Sequence, residues 1–173
     1  MIKKILTEPD PFLRQKSIKV ELVNDEIRAL MNDMLETMYN APGIGLAAIQ
    51  IGVPKRVIVM DLSREDEKKN PLYFVNPEII TNSNNDAAYE EGCLSVPGQF
   101  AEISRPDKCK VKYLDYNGNE KIVDTHGLLA TCIQHEMDHL EGILFIDYLS
   151  KLKKSMIVKK LSKQKKSLER IVV

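Results

Sequence analysis

Hydrophobic residues recur at helical spacing in one long segment near the start of the chain. Asn24 is a typical N-cap residue, and Pro42 with Gly43 would end the segment. The apolar positions between these limits share one face of a helix: Ile27, Leu30, Met31, Met34, Leu35 and Met38. Such a stripe is typical of a helix that packs against a core. Asp10 and Pro11 predict a short helical turn before it.

Strand-like segments dominate the middle of the chain. Residues 55–61 and 72–75 are rich in Val, Ile and aromatic residues, as strands usually are. Residues 108–116 and 120–124 flank an Asn-Gly pair at 117–118, which is a strong hairpin signal. The pattern therefore predicts an antiparallel hairpin.

Two further helices are predicted towards the end of the chain. The first would begin at Asp124 or Thr125, since either residue can act as an N-cap, and would end at Gly142. The second covers residues 150–168. Because the chain shows no internal repeat and no alternation of strands and helices, the pattern favours an α+β fold over a doubly wound parallel sheet.

The composition indicates a small protein with one domain. The chain has 173 residues, of which 43% are hydrophobic. Its three cysteines are an odd number, which disfavours a disulfide framework. The apolar start meets Pro9 and Pro11 too soon for a secretion signal, and no stretch approaches the roughly 18 apolar residues of a membrane helix. We therefore expect a cytoplasmic protein.

The charges are unevenly distributed along the chain. Residues 150–173 contain nine of the 25 Lys and Arg residues but only one of the 25 Asp and Glu residues. The first 149 residues are therefore acidic and the tail is basic. Ile157, Leu161 and Leu168 would form a narrow apolar stripe among the lysines of a tail helix. A solvated helix end and a helix that binds a polyanion both fit this pattern.

The most informative motif is His-Glu-Met-Asp-His at residues 135–139, which uses two of the three histidines in the chain. Histidines four positions apart on a helix lie on one face, about 6 Å apart along the axis. Both imidazoles can then bind one metal ion, and Glu136 can reach a water molecule bound to it. The alternative is a solvated helix that carries two histidines by chance.

The residues downstream of the motif offer poor candidates for a third metal ligand. Glu141 follows His139 by only two positions, so on a continuing helix it points away from the histidine face. Asp147 is not excluded by its spacing, and Glu169 is the only later acidic residue.

The cysteines are better candidates. Cys132 lies on the histidine face, but it is about 10.5 Å along the helix axis from His139, too far for a shared ion. Cys109 alternates with apolar residues and is most simply an inward-facing strand residue. Cys93 lies in residues 91–98, which we interpret as an irregular segment that can direct a side chain freely. We therefore predict Cys93, His135 and His139 as the metal ligands.

Three blocks of the chain resemble the sequence pattern of peptide deformylases. They are residues 43–50 (GIGLAAIQ), 91–95 (EGCLS) and 134–142 (QHEMDHLEG). Their order and spacing match the family, and the resemblance spans essentially the whole chain. It implies an α+β fold with a central metal-binding helix, small antiparallel β-sheets around it, an N-terminal helix and a C-terminal helix.

The resemblance also implies roles for individual residues. Glu136 would be the general base that takes a proton from water and passes it to the departing amine. The side-chain amide of Gln50 and the backbone N–H of Leu94 would donate hydrogen bonds to the developing oxyanion. From the sequence alone, Gln50 would be an ordinary polar residue at a strand edge.

Further residues would form the substrate cleft by the same resemblance. They are Ile44, Gly45, Phe100, Leu128, Thr131 and Cys132. Thr131 departs from the aliphatic residue that many bacterial members have at that position, and Phe100 occupies a variable position. His126 has no assigned role, so we expect it to lie at the surface or at a helix cap.

The resemblance implies one divalent metal ion per chain and a peptide substrate. Fe²⁺ would be the physiological ion, while a Cys/His/His site also suits Zn²⁺, Ni²⁺ or Co²⁺. The substrate would be the formyl-methionine end of a nascent polypeptide. Residues 1–149 would form the catalytic deformylase domain. Residues 150–173 would form a basic C-terminal helix that is attached to this domain and binds the ribosome. Neither a membrane nor DNA is expected as a partner.

Three alternatives remain open at this stage. The same ligands could form a structural metal site with a fourth ligand, although Glu136 would then have no purpose. A metalloendopeptidase would use the same ligands and base on internal peptide bonds. A binding module with a basic tail for nucleic acid would have no use for the complete set of site residues.

Overall fold

The computed structural model describes residues 1–171, with side chains as far as Glu169. Residues 172 and 173 of the predicted tail, and the side chain of Arg170, lie outside this description. The structure contains three helices in the described residues: α1 (Asp25–Asn40), α2 (Gly127–Leu140) and α3 (Lys151–Ile171). Single turns of 3-10 helix occur at Pro11–Arg14, Ala48–Ile51 and Phe145–Tyr148.

Seven strands within residues 1–171 form two antiparallel sheets. The strands are β1 (Gly45–Ala47), β2 (Val57–Met60), β3 (Leu72–Asn82), β4 (Asp86–Cys93), β5 (Val96–Pro106), β6 (Lys108–Leu114) and β7 (Glu120–His126). The larger sheet has the order β1-β2-β3-β6-β7, and β4 pairs with β5 in a separate hairpin. The fold is therefore α+β, which confirms the predicted class.

Helix α1 forms where the apolar stripe predicts it. The side chain of Asn24 accepts a hydrogen bond of 3.0 Å from the Ile27 N–H, as an N-cap residue does. Ile27, Met31 and Met34 are buried against β1 and β2. The predicted turn at Pro11 and the β6–β7 hairpin are likewise confirmed.

Helix α2 lies between the two sheets, in contact with β1, β5, β6 and β7. Its predicted N-cap is wrong: β7 continues to His126, which is the N-cap residue but makes no side-chain capping hydrogen bond. Asp124 and Thr125 do not cap the helix because both lie within β7, where they pair with Lys110 and Cys109 of β6. The predicted end is confirmed, since Gly142 follows the C-cap with a φ of 75°.

The β4–β5 hairpin was not predicted, and the interpretation of residues 91–98 as irregular is wrong. Most of β4 is exposed or half-buried, and its residues are small or polar rather than alternately apolar. The period of two that reveals a half-buried strand is therefore missing. Strand β3 also extends to Asn82, beyond the apolar residues that predicted it.

Helix α3 packs on the body through its first half. Leu161 is buried in a cluster with Val96 and Phe145, and Ile157 packs against the same cluster. Leu168 is 64% exposed, so the predicted stripe does not extend to it. None of the three helices described in residues 1–171 combines the length and apolar character that a bilayer span requires.

Candidate active site

The two histidines of the motif are buried on one face of α2. His135 is 8% exposed and His139 is 1% exposed. Their ring centroids are 5.0 Å apart, as expected for positions one helical turn apart. The Cys93 Sγ lies 3.3 Å from the His139 Nε2. One donor atom from each of Cys93, His135 and His139 falls within 4.8 Å of the others.

Cys93 reaches the histidines because it ends strand β4. The pairing between β4 and β5 shifts register between Gly92 and Cys93, which bends the strand at that point. Two residues, Leu94 and Ser95, then connect β4 to β5. The Ser95 carbonyl accepts a hydrogen bond of 2.8 Å from the Glu8 N–H, so the N-terminal segment supports this turn.

The other cysteines have different surroundings. Cys109 is buried on β6, and its sulfur lies 3.0 Å from the Thr125 hydroxyl oxygen. Cys132 is on the histidine face of α2, and burial raises the pKa of its thiol to about 12. A thiol with such a pKa stays protonated at neutral pH, which does not suit a metal ligand.

The downstream acidic residues pair with basic side chains elsewhere. Asp147 accepts a hydrogen bond of 2.6 Å from Arg14 and forms an ion pair with Lys154. Glu141 pairs with Arg56 at 2.7 Å. Neither carboxylate belongs to the cluster of donor atoms around Cys93.

Glu136 is buried beside the donor atoms and close to strand β1. Burial raises the pKa of its carboxyl group to about 7. Its Oε2 has no hydrogen-bond partner among the described residues. A Cβ atom added to Gly45 would lie 2.5 Å from the Glu136 Oε1, so only glycine fits at position 45 without a shift of this carboxylate.

Gln50 is almost fully buried in the 3-10 turn after β1, rather than at a strand edge as the sequence suggested. Its Oε1 accepts a hydrogen bond of 2.9 Å from the Ala47 N–H. This bond fixes the orientation of the amide group. The Nε2 therefore faces the site, where it donates to the Ser95 hydroxyl at 2.9 Å and lies 3.6 Å from the Cys93 Sγ.

A hydrogen-bonded network beside the site, centred on the buried residues Glu91 and Arg105, was not identified from the sequence. The Glu91 carboxylate accepts a hydrogen bond of 2.8 Å from the His135 Nδ1. It also binds Arg105 through two hydrogen bonds of 2.7 and 3.0 Å. Arg105 donates in addition to Asp138 at 2.8 Å, and Tyr148 donates to the same Asp138 oxygen at 2.7 Å.

This network determines how His135 is oriented. Burial by itself raises the pKa of Glu91, but the hydrogen bonds from His135 and Arg105 outweigh it and lower that pKa. Glu91 is therefore a carboxylate, and the His135 Nδ1 carries the proton that it donates. In the neutral form of the His135 ring, the Nε2 then carries the lone pair that can bind a metal ion. The only signal in the sequence was the position of Glu91 in the block that contains Cys93.

Cys93 and His135 line a cleft with a volume of about 480 Å³, whereas His139 is buried outside its lining. Helix α2, the loop before β1 and the β4–β5 hairpin form its walls. The cleft brings together all the residues that the resemblance assigned to substrate: Ile44, Gly45, Phe100, Leu128, Thr131 and Cys132. Gln50, Leu94 and Glu136 line it as well, whereas His126 lies outside it.

Two histidines and a cysteine around a common centre, with a buried carboxylate and an amide donor beside them, define the class of metal-dependent hydrolases. The model of the family described as polypeptide deformylase matches residues 2–155. The chain therefore belongs to the polypeptide deformylase family.

Curated relatives agree with the family model. A peptide deformylase of Pelagibacter ubique (strain HTCC1062) is 69% identical over 172 residues, which cover 99% of each chain. A peptide deformylase of Phenylobacterium zucineum (strain HLK1) is 63% identical, over 96% of this chain and 98% of the relative.

Solved structures agree at the level of the fold. The crystal structure of a peptide deformylase from Ehrlichia chaffeensis matches with a TM-score of 0.90 and 44% sequence identity. The match covers 95% of this chain and 97% of that one.

We predict that Arg105→Met destabilises the protein by about 3–5 kcal/mol, because it leaves the buried Glu91 carboxylate without its main partner. Arg28→Met is the matched control. Arg28 forms an ion pair with Asp25, whose side chain is fully exposed, so its loss should cost less than about 1 kcal/mol. Urea unfolding in the same metal state measures both changes. Equal losses would contradict the role given to the network.

Proposed function

We propose that this chain hydrolyses the formyl amide at the N-terminal formyl-methionine of newly made polypeptides, releasing formate and a free amino group. The chain is a hydrolase of the deformylase family, and the residue roles given below are our proposals. The observation that carries them is the convergence of Cys93, His135 and His139 beside the buried Glu136, at the inner end of an apolar cleft.

The donor set fits one divalent metal ion. Cys93 would supply a thiolate, and His135 would supply the Nε2 that its bond to Glu91 leaves free. His139 would supply its Nε2, which already faces the Cys93 sulfur. We propose Fe²⁺ as the physiological ion because of the resemblance to the family, with Zn²⁺, Ni²⁺ or Co²⁺ as substitutes that suit the same ligands. When bound, such an ion lowers the pKa of a coordinated water and polarises a carbonyl group.

Glu136 is positioned for the proton transfers of amide hydrolysis. We propose that its carboxylate takes one proton from the attacking water and gives it to the leaving amine nitrogen as the C–N bond breaks. Two observations support this role. The Oε2 has no hydrogen-bond partner among the described residues, and the glycine at position 45 leaves room for the carboxylate beside the cleft.

The oxygen of the formyl group becomes negatively charged during this reaction. We propose that the Nε2 of Gln50 and the backbone N–H of Leu94 stabilise it by hydrogen bonding. The contact between Gln50 and Ala47 supports this role, since it holds the amide in one orientation before the substrate binds. Such preorganised donors need no rearrangement during the reaction.

The methionine side chain would occupy the apolar part of the cleft, between Ile44 on one side and Leu128, Thr131 and Cys132 of α2 on the other. Phe100 is 65% exposed at the rim. We propose that Phe100 contacts the peptide beyond the methionine.

We propose that residues 1–149 carry catalysis and that the basic tail, residues 150–173, binds the ribosome. Leu161 faces the body, while Leu152 and Met156 are 71% and 62% exposed on another face of α3. Three exposed lysines lie on the same face as Leu152 and Met156, nearer the end of the helix: Lys159, Lys163 and Lys166. A basic surface of this kind suits the phosphates of ribosomal RNA.

We predict that Glu136→Gln lowers the rate of formyl-Met-Ala-Ser hydrolysis by about 10²–10⁴-fold with unchanged metal content, because proton transfer is lost and coordination is not. Release of formate under anaerobic conditions and elemental analysis measure the two quantities. An acetylated peptide of the same sequence tests the alternative of an endopeptidase. Cleavage of its internal bonds at a rate similar to deformylation would contradict the proposed function.

We predict that Cys93→Ser releases the metal at a lower chelator concentration than the wild type, because a hydroxyl group is a poorer ligand than a thiolate. Cys109→Ser is the control, since Cys109 is a buried cysteine of β6 outside the site. It should keep the metal and lose only stability. Equal metal loss in the two variants would refute the choice of Cys93.

We predict that replacing Lys159, Lys163 and Lys166 by Gln weakens ribosome binding several-fold at low salt and flattens its salt dependence, because phosphate contacts are lost. Hydrolysis of short formyl-peptides should not change. The control replaces Lys68, Lys108 and Lys121, which are exposed on the body, and removes the same charge. Co-sedimentation with ribosomes measures binding, and equal effects of the two triple variants would count against docking through α3.

A further inference from the structure

Thr131 places a hydroxyl group in the apolar part of the cleft. It lies on α2 between Leu128 and His135, and it lines the cleft together with Ile44 and Cys132. The residue is only 6% exposed. Its hydroxyl takes part in none of the hydrogen bonds between described residues, and it is not among the side-chain atoms sealed from solvent without a partner. A hydroxyl in such a position is free to bind a group that enters the cleft.

The position of Thr131 along the helix matches the length of a methionine side chain. Residue 131 precedes His135 by four positions, which is about 6 Å along the axis. The sulfur of a formyl-methionyl peptide is five bonds from the formyl carbon, also about 6 Å in an extended chain. If the formyl group lies beside His135 and Glu136, a side chain that runs along α2 towards Leu128 brings its sulfur next to Thr131.

The oxidation state of the methionine sulfur determines how strong a hydrogen bond the Thr131 hydroxyl can donate to it. A thioether sulfur is a weak acceptor, so a hydrogen bond from Thr131 to methionine would be weak. Oxidation converts the thioether into a polar sulfoxide, whose oxygen is a much better acceptor. A wholly apolar pocket would reject this oxygen, because it would lose its hydrogen bonds to water without replacement.

We propose that Thr131 is a specificity-determining residue that donates a hydrogen bond to the sulfur end of the first side chain, and that the cleft therefore accepts N-formyl-methionine sulfoxide as well as N-formyl-methionine. This inference rests on the proposed deformylase function. It extends the substrate class to polypeptides whose first residue has been oxidised before deformylation.

The test compares three formyl-peptides that differ only in the first side chain: Met-Ala-Ser, methionine sulfoxide-Ala-Ser and norleucine-Ala-Ser. Norleucine has a methylene group in place of the sulfur and cannot accept a hydrogen bond. We expect the wild type to hydrolyse the sulfoxide peptide with a kcat/KM within about tenfold of the norleucine peptide. Rejection of the sulfoxide by more than about 100-fold relative to norleucine would overturn the proposal, and this comparison needs no variant.

Two variants of Thr131 test whether its hydroxyl is responsible for hydrolysis of the sulfoxide peptide. Thr131→Val keeps the shape and removes the hydroxyl, so the ratio of kcat/KM for the sulfoxide peptide to kcat/KM for the norleucine peptide should fall about tenfold or more. Thr131→Ser keeps the hydroxyl and should retain sulfoxide hydrolysis. A parallel change for all three peptides in Thr131→Val would show that the role of Thr131 is merely structural.

Failure of this proposal is distinct from failure of the proposed function. Hydrolysis of the methionine and norleucine peptides with rejection of the sulfoxide would leave the deformylase function intact and overturn only the role of Thr131. Lack of activity on all three peptides in the metal-loaded wild type would overturn both.

Discussion

Glu91 and Arg105 form a two-point ion pair inside the protein, with one residue on each strand of the β4–β5 hairpin, and both are also bonded to helix α2. The hairpin carries Cys93, and α2 carries the two histidines. A metal site made from residues of both elements requires the hairpin and the helix to keep a fixed relative position. Apolar packing alone controls that position less closely than directed hydrogen bonds do, because it has no preferred direction. The cost of burying these charges is offset by their mutual hydrogen bonds, and the benefit is the alignment of hairpin and helix.

The Glu91–Arg105 pair is the part of the site that could not be predicted from the sequence, whereas other parts could. The histidines and Glu136 lie on one helix, so their spacing determines their relative positions. Cys93 was identified by excluding the other cysteines, although its position in a hairpin was not foreseen. Arg105 could not be found, because it meets Glu91 through the pairing of two largely exposed strands that show no apolar alternation.

The helix cap was mispredicted, and the close contacts of two glycines were not foreseen, for a related reason. Local signals predicted Asp124 or Thr125 as the cap, but both residues pair with β6 as part of β7, so the helix begins only after His126. The sequence placed Gly43 only at the end of a helix, and the resemblance placed Gly45 only in the substrate cleft. In the structure, a Cβ at Gly45 would meet Glu136, and one at Gly43 would lie 2.6 Å from the Leu94 Cδ1. The glycines are therefore required by side chains that lie far away in the sequence, which no local pattern reveals.

One face of α2 combines the residues that line the cleft with those proposed to react, in the order in which the proposed substrate would meet them. Leu128, Thr131 and Cys132 line the cleft in the first turns of the helix, and His135 and Glu136 follow one turn later. Because the helix is rigid and rises by a constant amount per residue, the distance from side-chain pocket to reacting centre is set by residue number alone. Substitutions in the early turns can then change which side chain fits, while Glu136 keeps its close approach to Gly45 of β1 and His135 keeps its bond to Glu91 of the hairpin.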